Sequence, residues 1–181
     1  MQGGLDLRKT RVVIGTVISA GVFVALPLVY AVISRALDVV LGLPEEPIQW
    51  PANLLLTGVV WTWGLFWILW AYSALVFIGQ GSPSEIFGYA LEPTKQLVIT
   101  GPYAYVRNPM VFGLQFIFLG AAFLVNSVAG VALLPVAALI SAGYIRFFEE
   151  KTLVKRFGIE YEHYREHVPM LIPNVVPYVP D

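Results

Sequence analysis

Residues 107–150 read RNPMVFGLQFIFLGAAFLVNSVAGVALLPVAALISAGYIRFFEE, and this stretch decides the fold. Between Arg107 and Arg146 lie 38 residues without a charged side chain. As a single helix they would span about 57 Å at about 1.5 Å per residue, nearly twice the roughly 30 Å hydrocarbon core of a bilayer. The stretch must therefore fold back on itself.

The turn of this hairpin is predicted at Asn126-Ser127, the only polar break near the middle of the run. It leaves 18 residues on each side, 108–125 and 128–145, each about one membrane span. Such a hairpin returns Glu149 and Glu150 to the membrane face from which Arg107 starts. Chemistry is predicted where these two polar ends meet.

The composition is that of an integral membrane protein. Hydrophobic residues make up 57% of the 181 residues, charged residues 13%, and the mean hydropathy is +0.72, whereas soluble domains are about 25% charged. Because the spans use most of the chain, we predict one membrane domain, 1–181. A net charge of -1 predicts no nucleic-acid partner. With no cysteine, disulfides, thiolate catalysis and cysteine-ligated metals are excluded.

Two further spans are predicted before the hairpin. Val12–Ser34 holds 23 uncharged residues, and Asn53–Gln80 is also free of charge. Residues 35–50, rich in acidic residues and proline, are predicted to form a loop, and residues 81–108 a polar loop. The domain thus divides into two N-terminal spans, 1–80, and a functional half, 81–181.

The closing segment, Glu149–His167, is predicted to be an amphipathic helix that Pro169 stops. Its apolar positions follow spacings of four, four, three and four, and they are Leu153, Phe157, Tyr161, Tyr164 and Val168. The predicted fold class is therefore all-α, an integral membrane bundle of four transmembrane helices with a C-terminal cytoplasmic amphipathic helix.

The cytoplasmic side follows from the distribution of basic residues. Four spans place both termini and the 81–108 loop on one side. That side holds Arg8, Lys9, Arg11, Lys95, Arg107, Arg146, Lys151, Lys155, Arg156 and Arg165, and only Arg35 lies on the other. The positive-inside rule then predicts that the termini and the polar clusters face the cytoplasm.

The charged residues at the open end of the hairpin are expected to pair or to bind a charged ligand, because desolvating them alone is costly. Interfacial snorkelling is the simpler alternative. The preceding loop favours a ligand, because Gly101-Pro102 predicts a turn, Pro109 restricts Asn108 to extended geometry, and two tyrosines lie between them.

Four parts of the chain resemble the isoprenylcysteine carboxyl methyltransferases and related phospholipid methyltransferases. They are LVITGPYAYVRNP at 97–109, the apolar hairpin, FFEE at 147–150, and FGIEYEHY at 157–164 with Val168-Pro169. The parts follow the family's order and spacing over roughly residues 80–173. The resemblance implies an integral membrane enzyme that transfers a methyl group from S-adenosylmethionine, leaving S-adenosylhomocysteine, to a lipophilic or lipid substrate.

The resemblance also implies the site residues. Its cofactor contacts fall on Gln96, Leu97, Val98, Tyr103, Asn108, Pro109, Met110, Val111 and Glu149, with Glu150 beside them. Arg146 is the nearest match to the family's substrate-handling arginine, so Arg146 and Glu150 are the predicted catalytic pair. Charge complementarity predicts Glu149 and Glu150 as partners for the positive groups of the cofactor and Arg107 or backbone N–H groups as partners for its carboxylate. Tyr103 or Tyr105 is predicted to contact the adenine face. The family often has histidine at Asn108 and tyrosine at Val111.

Two other functions remain open at this stage. Membrane sterol reductases share an Arg-x-Pro loop and a C-terminal helix but use NADPH, whose 2′-phosphate calls for clustered basic residues; the 81–108 loop offers only Lys95 and Arg107. A non-catalytic membrane scaffold would keep the architecture without turnover. The methyl acceptor, O- against N-methylation, and the oligomeric state stay undetermined.

Two further patterns have a structural and a functional interpretation. His163 and His167 match an inverted zinc-protease pattern, but the chain has only these two histidines, so no metal site is predicted. Trp63, Trp67 and Trp70 lie on one face of the second span. Packing against neighbouring helices is the favoured interpretation of the tryptophans, and the wall of a lipid pocket is the alternative.

Overall fold

The computed structural model describes residues 2–81, 85–86, 89–90 and 93–180. These residues form six α-helices, two short helical turns and one antiparallel pair of two-residue strands. The α-helices are α1 (Gln2–Leu41), α2 (Ala52–Phe77), α3 (Pro109–Leu124), α4 (Val128–Tyr144), α5 (Glu150–Phe157) and α6 (Ile159–His167). The strands are β1 (Glu85–Ile86) and β2 (Tyr89–Ala90). A 3-10 turn covers Gly101–Ala104, and a π-helical turn covers Ile145–Glu149.

Within the described residues, three segments are long and apolar enough to cross a membrane: Val13–Leu41, Ala52–Phe77 and Val128–Phe157. Helix α3 is apolar but has 16 residues, about 24 Å of helix. The chain is therefore an integral membrane protein of helical class. The four-span arrangement depends on α3 and stays a prediction.

The hairpin prediction is confirmed. Helix α3 ends at Leu124 and α4 begins at Val128, so the turn contains the predicted Asn126-Ser127 pair. Asn126 has a positive φ of 54°, a conformation that asparagine tolerates better than most residues. The Asn126 side chain exchanges two hydrogen bonds with the backbone of Ile48, and Ser127 Oγ accepts one from the Gly130 N–H at 2.9 Å.

The predicted loop 35–50 is wrong at its start, because α1 continues to Leu41. The absence of charge up to Ser34 predicts that the span ends there and that Arg35 and Asp38 lie in the loop. Instead, Asp38 is only 1% exposed and its Oδ1 accepts a hydrogen bond from the Ala129 N–H at 2.9 Å. Asp38 thus satisfies the backbone at the start of α4, and its position near the positive end of that helix is electrostatically favourable.

The predicted continuous helix Glu149–His167 is also wrong. Gly158 adopts a φ of 56°, which breaks the segment into α5 and α6; glycine reaches this region without a steric penalty. The predicted apolar face is nevertheless real. Tyr161, Tyr164 and Val168 form a buried cluster, and Leu153 and Phe157 pack against it.

Helices α2 and α3 approach each other closely at small residues. A Cβ atom on Gly113 would lie 2.6 Å from the Gly64 carbonyl oxygen, and one on Gly120 would lie within 2.4 Å of the Trp61 ring. Close backbone contact of this kind is how helices pack in a membrane, where apolar burial gives no driving force between them. The α2–α3 pair thus forms a rigid wall behind the site.

Of the three tryptophans on α2, Trp67 is buried and packs edge-on against Phe112 of α3 at 5.0 Å, whereas Trp63 is 48% exposed. Trp70 lies 6.1 Å from the ring of Tyr105, in the polar loop. Packing between helices therefore accounts for Trp67. Trp70 also supports the loop that carries the candidate site.

Candidate active site

The polar loop before α3 is held in place by the C-terminal tail. The N–H of Arg107 donates to the carbonyl of Pro169 at 2.9 Å, and the N–H of Asn174 donates to Tyr105 at 2.9 Å. Further along, the N–H of Tyr178 donates to Ala104 at 2.8 Å. The tail has no helix or strand, but these bonds satisfy the loop backbone and fix its path.

Asn108 and Pro109 connect this loop to α3. Asn108 has a φ of -125°, outside the helical region, as expected of a residue before proline. Pro109 then occupies the first turn of α3, where its missing N–H removes no helical hydrogen bond. The Asn108 Nδ2 donates to the carbonyl of Met170 at 3.1 Å, so the C-terminal tail also holds the start of α3.

On the opposite side of the site, the chain leaves α4 through a π-helical turn. The N–H of Glu150 donates to the carbonyl of Ile145, five residues earlier. π-helical turns are rare in proteins, and those that occur often lie at functional sites. Here the turn sets the directions of Glu149 and Glu150 as the chain passes from the apolar span into α5.

The two ends of the hairpin enclose one cavity, as the sequence predicted. Its volume is about 160 Å³. Tyr103 from the polar loop and Glu149 from the π-helical turn both line it. The predicted cofactor residues that line it are Leu97, Val98, Tyr103, Arg107, Asn108, Pro109, Met110, Val111 and Glu149.

Gln96, the remaining predicted cofactor residue, does not line this cavity. Its side chain is exposed, and its Nε2 donates to the carbonyl of Ile78, at the C-terminal end of α2, at 2.5 Å. Gln96 therefore fastens the loop to α2. Its neighbours Leu97 and Val98 reach the cavity.

The predicted catalytic pair lies next to this cavity, outside its lining. Glu150 is 3% exposed, and its Oε1 accepts a hydrogen bond from Arg107 Nη1 at 2.5 Å. Its Oε2 lies 3.9 Å from Nη1 of Arg146, whose side chain is 69% exposed. Glu150 and Arg146 line a second cavity, with Phe147 between them in sequence.

Arg107 connects the two cavities. It lines the first cavity and forms the buried ion pair with Glu150, which lines the second. A second contact joins Arg107 Nη1 to the Tyr161 hydroxyl at 3.5 Å. The Arg107 Nε–H is buried and has no hydrogen-bond partner among the described residues. An unsatisfied buried donor of this kind is costly unless a ligand accepts from it.

Three tyrosines border the cavity, the buried Tyr161 and Tyr164 and the partly buried Tyr103, and desolvation raises the pKa of each. The pKa of Tyr103 lies well above 10, with Tyr164 and the Glu149 carboxylate adding to the rise. Burial and then Glu150 raise the pKa of Tyr161 to about 12, and the pKa of Tyr164 is raised further by burial and by Tyr161. All three are therefore protonated at neutral pH. The Tyr164 hydroxyl donates to the Tyr103 carbonyl at 2.6 Å.

Six residues of this cavity were not predicted from the sequence: Leu75, Thr94, Leu153, Phe157, Tyr161 and Tyr164. The last four belong to the apolar face predicted for the closing amphipathic helix, to which the sequence assigned no part of the site. These four residues could have been recognised because the otherwise apolar face carries two tyrosine hydroxyls. Leu75 and Thr94 had no signal, because only the fold brings the end of α2 and the loop to this point.

The two histidines lie on the exposed face of α6, away from the cavity lining. Their rings are 4.6 Å apart, and Tyr178 stacks on His167. His167 Nδ1 lies 2.8 Å from the His163 carbonyl. Among the described residues no group of three or more potential metal ligands is found.

Comparison with known proteins identifies the family. The family described as phospholipid methyltransferase matches residues 52–160, from the start of α2 to the start of α6. The chain belongs to this family. The matched region contains most of the cavity lining and begins earlier than the resemblance noted in the sequence, so α2 is part of the family core.

A curated relative agrees with this family. The protein-S-isoprenylcysteine O-methyltransferase of Schizosaccharomyces pombe (strain 972 / ATCC 24843) is 36% identical over 109 residues, which cover 57% of this chain and 43% of that protein. The chain thus spans less than half the length of the relative. No solved structure gives a significant match.

Proposed function

We propose that this member of the phospholipid methyltransferase family transfers a methyl group from S-adenosylmethionine to a carboxylate or amine of a lipophilic acceptor. One observation carries the proposal: nine of the ten predicted cofactor residues, taken from two segments on either side of the hairpin, line a single cavity. The termini and the cavity face the cytoplasm in this proposal, because ten of the eleven basic residues lie on that side of the predicted topology.

The polar groups of the cavity fit the methyl donor. S-adenosylmethionine carries two positive groups, a carboxylate and an adenine. The Glu149 carboxylate suits a positive group, and the buried Arg107 Nε–H suits the carboxylate. The protonated hydroxyl of Tyr103 supplies a further donor or an aromatic face. The apolar part of the wall comes from Leu97, Val98, Met110, Val111, Leu153 and Phe157.

The chemistry requires alignment more than proton transfer. When bound, S-adenosylmethionine supplies a methyl carbon on positively charged sulfur, which a carboxylate or free amine attacks directly. No base is needed for that attack, so this chain's residues contribute by fixing the reactants in line and excluding water. Asn108, where the family often has histidine, already donates to the Met170 carbonyl. In this proposal it positions the loop and transfers no proton.

The acceptor is proposed only by class. The name of the relative indicates methylation of an isoprenylcysteine oxygen, and the name of the family indicates phospholipids. Both acceptors are lipophilic. Exposed apolar residues on the described helices, such as Leu139 and Ile140 on α4, offer an apolar surface for the acyl or prenyl part of either acceptor.

The electrostatics of the cavity disfavour the NADPH alternative. Among its described lining residues Arg107 is the only Lys or Arg side chain, and Glu150 neutralises it. Glu149 adds a negative charge to the same wall. The net negative charge of the cavity wall would therefore repel the 2′-phosphate of NADPH. The family match, which is to methyltransferases, points the same way.

Titration calorimetry on the detergent-purified protein tests the proposal. We expect the wild type to bind S-adenosylmethionine and S-adenosylhomocysteine, and Glu149→Ala and Tyr103→Ala to weaken this binding at least about tenfold, the effect of losing one interaction of about 1.4 kcal/mol. Glu46→Ala, at an exposed carboxylate beside the hairpin turn, is the control and should bind like the wild type. A wild type that binds NADPH but neither methyl-donor species would refute the proposal.

A further inference from the structure

The C-terminal tail, residues 168–180, differs in composition from the segment before it. Residues 149–167, which end with α6, contain nine charged side chains, whereas residues 168–180 contain none. The family match ends at residue 160, so the tail lies outside the matched region. The methyl-transfer proposal uses the tail as a support for the polar loop and gives no role to its apolar side chains.

Most apolar side chains of the tail are turned away from the rest of the protein. Val168 is buried in the tyrosine cluster of α6, and Tyr178 packs against that cluster. The exposed aliphatic residues of the tail, by contrast, have exposed fractions of 72–97%, and they are Ile172, Val175, Val176 and Val179. Apolar residues grouped in this way on a protein surface mark a contact with a membrane or with a partner.

Hydrogen bonds place the tail beside the point where the chain enters α3. The N–H of Asn174 donates to the carbonyl of Tyr105 at 2.9 Å. The carbonyl of Pro169 accepts from the N–H of Arg107, and Arg107 lies two residues before the start of α3. Because α3 is an apolar helix, its start is where the hydrocarbon core of a bilayer meets the headgroups. The exposed aliphatic residues of the tail therefore lie near a membrane surface.

The length of α3 gives these residues a place in the bilayer. In the predicted four-span topology α3 crosses the membrane, but its 16 residues measure about 24 Å, roughly 6 Å less than the hydrocarbon core. A span that is too short leaves hydrocarbon beside its ends, which the protein or the bilayer must accommodate. The tail, bonded next to the start of α3, supplies apolar side chains at this position.

The backbone of the tail suits the headgroup region better than the hydrocarbon core. Irregular backbone that faces lipid is unstable in the core, because its N–H and C=O groups find no partners there. Four of the thirteen tail residues are prolines and carry no N–H. The N–H groups of Asn174 and Tyr178 donate to the polar loop. Fewer backbone donors thus need water, and shallow insertion of the side chains leaves the remaining ones at the headgroups.

We propose that the C-terminal tail is an interfacial membrane anchor, whose exposed aliphatic residues insert into the leaflet that surrounds the start of α3. Because the tail is bonded to the polar loop at Tyr105 and Arg107, its insertion holds that loop at a fixed depth beside the bilayer. The partner is the bilayer surface itself. The anchor therefore does not depend on the methyl donor or on the acceptor.

Nitroxide depth measurements on the full chain, reconstituted in vesicles of phosphatidylcholine and phosphatidylglycerol, test the anchor. The chain has no cysteine, so each label can be attached to one introduced cysteine. The tail sites are Ile172→Cys and Val176→Cys. Glu162→Cys, at an exposed position on α6, is the aqueous control, and Leu139→Cys, on α4, is the membrane control. Depth follows from the relative accessibility of each label to oxygen and to a water-soluble nickel complex.

We expect both tail labels to lie about 5–10 Å into the boundary between headgroups and acyl chains, the depth of interfacial segments in general. The Leu139 label should lie deeper, and the Glu162 label should lie in water. Tail labels as accessible to the nickel complex as the Glu162 label would overturn the proposal. So would spin–spin broadening between the tail labels of two copies without burial in the bilayer, because a second copy would then cover the tail.

Substitutions in the tail show whether its apolar side chains cause the insertion. Val175→Asn/Val176→Asn/Val179→Asn should move the label at position 172 at least about 5 Å toward water. The matched variant Val175→Leu/Val176→Leu/Val179→Leu keeps the side chains apolar and should leave the label in place. The melting temperatures of both variants in detergent should match that of the wild type, because all three side chains are exposed. An unchanged depth in the asparagine variant would overturn the proposal, since the bonds to the loop alone would then set the position of the tail.

Discussion

Each end of the α3–α4 hairpin packs against a buried carboxylate, and the two carboxylates have different partners. At the turn, Asp38 is 1% exposed, accepts a hydrogen bond from the backbone of Ala129 and lies 3.8 Å from Nη1 of the partly exposed Arg35. At the open end, Glu150 is 3% exposed and accepts one from the Arg107 side chain, which lines the first cavity. Burial of a charge is therefore common to both ends. The two ends differ in what the carboxylate binds: a backbone N–H at the turn, and a side chain that lines a cavity at the open end.

The other polar groups follow the same division. At the turn, Ser127 accepts from the Gly130 N–H and so replaces a missing helical hydrogen bond at the start of α4. Asn126 bonds to the backbone of Ile48, in the loop between α1 and α2. At the open end, the buried Arg107 Nε–H has no hydrogen-bond partner among the described residues, and Arg107 lines the first cavity. At the turn, Asp38 Oδ2 also accepts no hydrogen bond from the described residues, but it lies 3.8 Å from Arg35 Nη1. The turn is thus a structural end, and the open end is suited to a ligand. Substitutions at the two ends should separate stability from binding.

The largest effect is expected for Arg107→Ala, which leaves Glu150 buried without its main partner. Removing one member of a buried ion pair costs about 3–5 kcal/mol, so the melting temperature in detergent should fall sharply, and S-adenosylmethionine binding by calorimetry should be lost. The matched variant Arg107→Met/Glu150→Met replaces both charges with apolar groups. It should recover most of the stability but none of the binding. A double variant as unstable as the single one would show that the pair is not the cause.

Asp38→Ala should give the opposite pattern, a loss of stability without a loss of binding. The variant removes the acceptor for the Ala129 N–H, at a cost of about 1–3 kcal/mol. Because Asp38 lies at the turn, the affinity of the folded protein for S-adenosylmethionine should stay within about twofold of the wild type. Asp38→Asn keeps an acceptor oxygen and should lose less stability. Reduced affinity in protein that calorimetric unfolding shows to be fully folded would contradict the division between the two ends.

The hairpin was predictable from sequence because its signal is local. A run of 38 uncharged residues with one polar break near its middle has few other solutions in a membrane. The extension of α1 through Arg35 and Asp38 was not predictable, because it depends on the N–H of Ala129, 91 residues away. The helix break at Gly158 was not predicted for a different reason. The apolar spacing across it is compatible with one continuous helix, so periodicity alone gives no sign of a positive φ.

The candidate site shows the same limit at the level of single residues. Glu149 and Glu150 were assigned together to the positive groups of the cofactor. Successive residues on a helix point about 100° apart, and here Glu149 faces the first cavity while Glu150 turns to Arg107 and the second cavity. Gln96 differs from Leu97 in a similar way. The order and spacing of the motifs therefore located the segments of the site. The direction of each side chain could be determined only from the backbone conformation.

The smallest effect concerns pH and the tyrosines of the open end. The pKa of Tyr161 is about 12 in the folded protein and about 10 when unfolded. Above pH 10 the unfolded chain releases this proton while the folded chain keeps it, so the stability that Tyr161 contributes is complete below pH 10 and is lost as the pH rises toward 12. The loss is at most about 1.4 kcal/mol per pH unit for this residue. Tyr103 and Tyr164 act in the same direction.

Tyr161→Phe isolates this contribution, because phenylalanine keeps the ring but has no proton to lose. Melting temperatures in detergent at pH 9, 10 and 11 should fall for both proteins, and less steeply for Tyr161→Phe. The variant also removes the hydroxyl that lies 3.5 Å from Arg107 Nη1, a long contact whose loss should change stability little at pH 9. An identical slope in the two proteins would mean that Tyr161 ionises alike in both states. Its hydroxyl would then be hydrated in the folded protein, and the wall between α6 and the Arg107–Glu150 pair would be open to water.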